Sequence, residues 1–260
     1  MKISGLFRHS QSALLIAALM LPLTSVTAET GKTTPKSPVS HATMTYTSGP
    51  RNITIERFSV ESNSPQPAVV LVHGADGLQS SVWNARYRDY ARQLAARGFV
   101  VYFPHYFERT GSGRADLMTI LQFFALWRQT IADAVSFAAA QPGVDSSRVA
   151  LSGVSLGGAL SLSLAAQDER VKAVAELSGF YPSLGKGMIE RLPPVLILHG
   201  ADDSLIPVDE AYRIEREVKA LKTPYEIKVY PSQGHGFTGP AANDALNRTA
   251  DFLGRYLSAR

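Results

Sequence analysis

The stretch "VALSGVSLGGALSL", Val149–Leu162, decides the reading of this chain of 260 residues. A short apolar run leads to Ser155, glycines stand at 153, 157 and 158, and a second apolar run follows. Such a pattern describes a strand that turns sharply into a helix, because glycine tolerates a strained turn and lets a helix lie close to a sheet. Ser155 itself is open to two readings: a nucleophile presented at the turn, or a small residue where a helix packs tightly. A serine hydroxyl is a poor nucleophile near neutral pH. It needs a base within reach, a group that orients the base, and donors for the oxyanion. The choice therefore rests on partners elsewhere in the chain.

Apolar strands and amphipathic helices alternate along the sequence. Strands are expected at Asn52–Val60, Ala68–Gly74, Phe99–Tyr106, Arg148–Leu151, Val171–Gly179, Val195–Gly200 and Tyr225–Tyr230. Helices are expected at Ser80–Arg97, from Leu117 to Ala138, after Ser155, at Asp209–Lys222 and at Pro240–Leu257. Continuous apolar strands separated by helices imply a mostly parallel sheet covered on both faces, a three-layer α/β/α sandwich in one domain. In such sheets ligands bind at the carboxyl ends of the strands. Two further segments reach that edge. "HGADDSLIP" places Asp202 and Asp203 after one strand, and "PSQGHGF" places His235 after the last. The chain order is then Ser, Asp, His, the order of a triad built on this architecture.

Four segments carry a family resemblance: "VLVHGADG" (Val70–Gly77), "SGVSLGG" (Ser152–Gly158), "ILHGADDSLIP" (Ile197–Pro207) and "YPSQGHGF" (Tyr230–Phe237). From about Asn52 to the C-terminus the chain resembles the α/β-hydrolase superfamily, and within it the dienelactone-hydrolase-like group. The resemblance implies that Ser155 is the nucleophile, His235 the general base, and Asp203, three residues after the His-Gly pair, the orienting acid. Asp202 is left as a loop carboxylate. It also implies an oxyanion hole formed by the backbone N–H groups of Ala75 and Leu156. One departure matters: the group's namesakes use a cysteine nucleophile, and this chain has no cysteine. A serine at that turn implies a general ester hydrolase rather than a lactone-specific one, and no cofactor.

Other residues at the same edge are candidates for the substrate pocket. His105 and Tyr106 either line the acyl pocket or belong to an exposed loop, and Phe180 and Tyr181 are either pocket wall or core. His73 and His199 are expected to make structural hydrogen bonds at strand ends. No His/Asp/Glu set has metal-ligand spacing.

Net charge and the N-terminus bound the remaining possibilities. The chain carries a net charge of +4, with 45% apolar and 18% charged residues, as a globular protein does. Residues 1–28 have basic Lys2 and Arg8, an apolar stretch from Ala13 to Leu21, and Val26-Thr27-Ala28, the pattern of a secretory leader cleaved after Ala28. Cleavage removes both cations and leaves +2, with no dense basic stripe, so nucleic-acid binding is not expected. The apolar stretch is too short to span a bilayer, and the lysines of 29–42 are too few to anchor the chain to one. Residues 29–42 read as a flexible linker and 43–260 as the hydrolase domain. The expectation is an exported bacterial protein, periplasmic or secreted, that cleaves small-molecule carboxylic esters. A peptidase or lactone hydrolase of the same superfamily and a non-catalytic binding protein on the same fold are its rivals.

Overall fold

The computed structural model describes residues 38–182 and 189–259. The expected leader and most of the expected linker lie outside the described residues. Eight strands form one sheet: β1 (Ser40–Ser48), β2 (Arg51–Ser59), β3 (Gln66–Val72), β4 (Val100–Pro104), β5 (Val144–Val154), β6 (Val171–Leu177), β7 (Val195–Gly200) and β8 (Tyr225–Tyr230). Their order across the sheet is β1-β2-β4-β3-β5-β6-β7-β8. The β1–β2 and β2–β4 pairs are antiparallel, and every pair from β4–β3 to β7–β8 is parallel.

Strand alternation sorts the core into two layers. Val70, Val72, Leu151, Val174 and Ile197 face one side and pack against α2 (Leu117–Ala139), α3 (Leu156–Ala165) and α4 (Asp209–Ala220). Val69, Leu71, Ala150, Ala175 and Leu198 face the other and pack against α1 (Ser81–Ala95) and α5 (Gly239–Tyr256). This is the expected α/β/α sandwich. Local signals set the helix ends. The Ser80 side chain accepts from the Trp83 N–H at the start of α1, and Asp116 accepts from Thr119 N–H at the start of α2, each satisfying a helix-end donor.

Two expectations need correction. The stretch read as linker to Ala42 already belongs to β1 from Ser40, whose register sets Ser40 opposite Ser59 and His41 opposite Phe58. β1 is an edge strand whose first four residues are exposed; from Met44 on, Met44, Tyr46 and Ser48 turn inward and the threonines between them outward. The His41 ring stacks on Phe58 at 4.5 Å, and Tyr46 donates to the Thr130 carbonyl oxygen of α2. In α2 the apolar face expected from Leu117 onward becomes core only from Phe124. Its first turns overhang the carboxyl edge of the sheet, where Leu117 is exposed beside the site described next.

Candidate active site

β5 runs straight into Ser155, whose backbone has φ +56° and ψ −122°, and α3 begins at the next residue. That conformation is strained for any residue with a Cβ. Close packing of glycines holds it in place. A Cβ on Gly157 would collide with the Val72 carbonyl of β3, and one on Gly153 would collide with Gly157. The Ser155 N–H donates to the Leu177 carbonyl at 2.9 Å, which ties the turn to β6. Leu156 opens α3, so its N–H has no partner within the helix and lies at the positive end of the helix dipole.

Beside it, the turn after β3 is braced by aromatic rings. Gly74 N–H donates to the Tyr87 hydroxyl at 2.9 Å, and the Tyr106 hydroxyl donates to the His73 carbonyl at 3.0 Å. The His73 ring is fully buried and stacks on Tyr106 at 4.1 Å. Burial holds its pKa down at about 3, so it stays neutral and structural. This bracing fixes Ala75, the residue that follows.

Asp203 is buried at the end of the β7 loop. Its Oδ1 accepts from the N–H groups of Leu205 and Ile206, both at 2.9 Å, and its Oδ2 lies 2.8 Å from His235 Nδ1. A carboxylate can only accept, so Nδ1 carries the proton and Nε2 is left as the basic nitrogen. The fully buried His199 sits behind this pair, its Nε2 2.9 Å from the Ile206 carbonyl and 3.5 Å from Asp203 Oδ2. Asp202 is exposed and does not take part.

Ser155, Leu156, Ala75, Phe180 and His235 line one cavity of about 400 Å³. Leu117, Ile120, Leu205 and Ile206 supply apolar wall, and an Arg114–Asp76 ion pair of 3.1 Å lies among its polar lining. Three of the four pocket candidates lie elsewhere. The His105 Nε2 is 2.8 Å from the carboxylate of Glu56, which also holds Arg88 through two contacts and His41. That buried carboxylate outcompetes solvent and draws His105 away from Ser155, into the wall of a separate cavity. Tyr106 is wholly buried beneath the β3 turn. Tyr181 stacks under Arg213 at 5.2 Å, with its N–H donated to Glu210.

Two participants escaped the sequence reading. Trp83 reaches over from α1 to meet the His235 ring edge-on at 6.5 Å. Glu176, in the apolar run of β6, is fully buried close under the Ser155 turn. Its Oε1 accepts the Gly179 N–H, and its Oε2 has no partner among the described residues. Burial pushes this carboxyl up from 4.5 to about 8, opposed by the Gly179 N–H and reinforced by the charges of Asp203 and Glu210.

A folded-state pKa above the unfolded one has a definite consequence. Between about pH 4.5 and 8 the unfolded chain loses this proton first, so the stability the protonated group supports falls as pH rises through that window. Glu176→Gln keeps the acceptor and removes the titration. The stability of the wild type relative to Glu176→Gln, from urea unfolding, is expected to decline by on the order of 1 kcal/mol per pH unit from pH 5 to 8. Parallel profiles would contradict this.

Comparison with known proteins gives the chain its family. A Yersinia pestis protein named as a carboxymethylenebutenolidase is 27% identical over 220 residues, covering 75% of this chain and 80% of its own length. A dipeptidyl aminopeptidase of Pseudoxanthomonas mexicana is 26% identical over 242 residues, covering 77% of this chain and 34% of the relative. A Klebsiella pneumoniae structure described as a dienelactone hydrolase superposes with a TM-score of 0.72 at 22% identity, covering 85% of this chain and all of the other. The model of the dienelactone hydrolase family matches residues 55–257, and the chain belongs to that family of hydrolases.

Proposed function

We propose that this hydrolase cleaves carboxylic esters through an acyl-serine formed on Ser155. The observation that carries the reading is the 2.8 Å Asp203–His235 contact, made by a histidine that shares its cavity with a strained serine. Ser155 attacks the carbonyl as His235 Nε2 takes its proton. The N–H groups of Leu156 and Ala75 hold the oxyanion, and His235 then returns the proton to the leaving alkoxide. Water, activated by the same nitrogen, releases the acid. The Asp203 carboxylate stabilises the imidazolium that forms in each half-reaction. The apolar wall of Leu117, Ile120 and Phe180 suits an aliphatic acyl group better than a charged one.

The leader-like residues 1–28 support export of this activity to the periplasm or medium. The test uses protein recovered from those fractions, whose first residue is expected to be Glu29. It is assayed on p-nitrophenyl esters from acetate to octanoate and on aminoacyl naphthylamides. Turnover of the esters supports the reading. Turnover of the amides alone would replace it with the peptidase reading, which the similarity to a dipeptidyl aminopeptidase favours.

A further inference from the structure

A second cavity, of about 330 Å³, adjoins the Ser155 cavity, and the two share Trp83, Tyr87 and Val154 as lining. Buried Leu177 and Leu246 line the second cavity together with Phe237, and exposed Asp89, Thr238 and Asn243 contribute polar groups. Among its lining is Ser178, 1% exposed, whose hydroxyl has no partner among the described residues. None of the chemistry described above uses this space.

We propose that the second cavity receives the alcohol portion of the ester, and that Trp83 is the wall that limits how much of it enters. The inference rests on the ester reading of Ser155 and adds to it which half of the substrate goes where.

The leaving oxygen must come within hydrogen-bond reach of His235 Nε2 to take its proton, so the alcohol chain starts at His235. On that side stand Gly236 and Trp83. The indole edge lies so close to Gly236 (φ +100°) that any Cβ there would strike it. Trp83 and Phe237 pack in the layer of α1 and α5, whereas Ile120 and Phe180 pack in the layer of α2 and α3. The two halves of an ester straddling Ser155 thus meet walls from opposite faces of the sheet. The Arg86 guanidinium lies 5.2 Å over the Trp83 ring and holds it in place. The ligand class is an aliphatic alcohol of several carbons, whose oxygen stays at His235 while its chain enters the second cavity.

Two ester series separate the halves: butyrates of methanol through octanol, and p-nitrophenyl esters of acetate through octanoate. Trp83→Ala joins the cavities, and its octyl-to-methyl butyrate ratio of kcat/KM is expected to rise about ten-fold or more over wild type. Its acyl-chain profile is expected to keep its shape. Ala242→Phe fills the second cavity from α5, and added to Trp83→Ala it returns the ratio to the wild-type value. An unchanged ratio in folded Trp83→Ala, or a shift in the acyl series instead, overturns the proposal. If the wild type hydrolyses no ester, the ester reading fails and the cavity is tested by itself. A saturable change in tryptophan emission with 1-octanol, lost in Ala242→Phe, then supports an alcohol-binding cavity, and no saturable change overturns it.

Discussion

Replacing Ser155 by alanine is expected to lower kcat on any ester the wild type cleaves by about 10⁵-fold, with KM little changed. On the proposed mechanism the loss falls on kcat, because the hydroxyl acts in bond making while the cavity wall and the proposed oxyanion donors are left in place. A residual rate above that in water persists, since Leu156 and Ala75 still offer their N–H groups. The backbone adds a second arm. Ser155 stands at φ +56° and ψ −122°, which costs about 1 to 3 kcal/mol for a residue with a Cβ and little for glycine. Ser155→Ala keeps that strain and should unfold at nearly the wild-type urea concentration. Ser155→Gly should be inactive and more stable, by about 1 kcal/mol. Equal stability of the two variants would mean that the turn stores no strain.

Asp203→Asn is expected to cost about 10⁴-fold in kcat, and the reason is a tautomer. The asparagine oxygen is needed where Oδ1 now accepts from Leu205 and Ile206 N–H. Its NH₂ then takes the place of Oδ2 and points at His235 Nδ1. A donor facing Nδ1 forces the ring proton onto Nε2, and the nitrogen that should accept the Ser155 proton is blocked. Asp202→Asn, one residue earlier and exposed, is expected to leave kcat within two-fold. Similar losses in the two variants, measured on one p-nitrophenyl ester across pH 5 to 9, would contradict the assignment of Asp203.

The core of the fold was legible because its signals are local. The Ala68–Val72 run of β3 is continuous and apolar, as a strand buried on both faces must be, and β5 ends in the short buried run Val149–Leu151 before glycines 153 and 157, which admit no Cβ. Position just after three strands put Ser155, Asp202, Asp203 and His235 at one edge, and the family resemblance chose Asp203. What remained hidden depends on distant partners. β1 lies at an exposed edge and pairs only with β2; its alternation is short, with Met44, Tyr46 and Ser48 turned inward between exposed threonines, and its first four residues show none. His105 follows a strand at the active edge, yet Glu56, 49 residues earlier, captures it. Trp83 has the spacing of a core residue on α1, and only the packing of α1 beside the loop after β8 turns it toward His235. Glu176 was hidden by its setting, since one acid inside the apolar run of β6 gives no hint that it is fully buried under the Ser155 turn, where burial pushes its carboxyl up.

The proposed mechanism requires a covalent acyl group on Ser155, and that group can be trapped. The wild type would be mixed with a slowly deacylating p-nitrophenyl ester, quenched in acid within the first turnover and measured by intact mass and peptide mapping. One acyl increment per chain is expected, on the peptide carrying Ser155, and none in Ser155→Ala. Ester turnover with no adduct at any quench time, or an adduct on another residue, would contradict it.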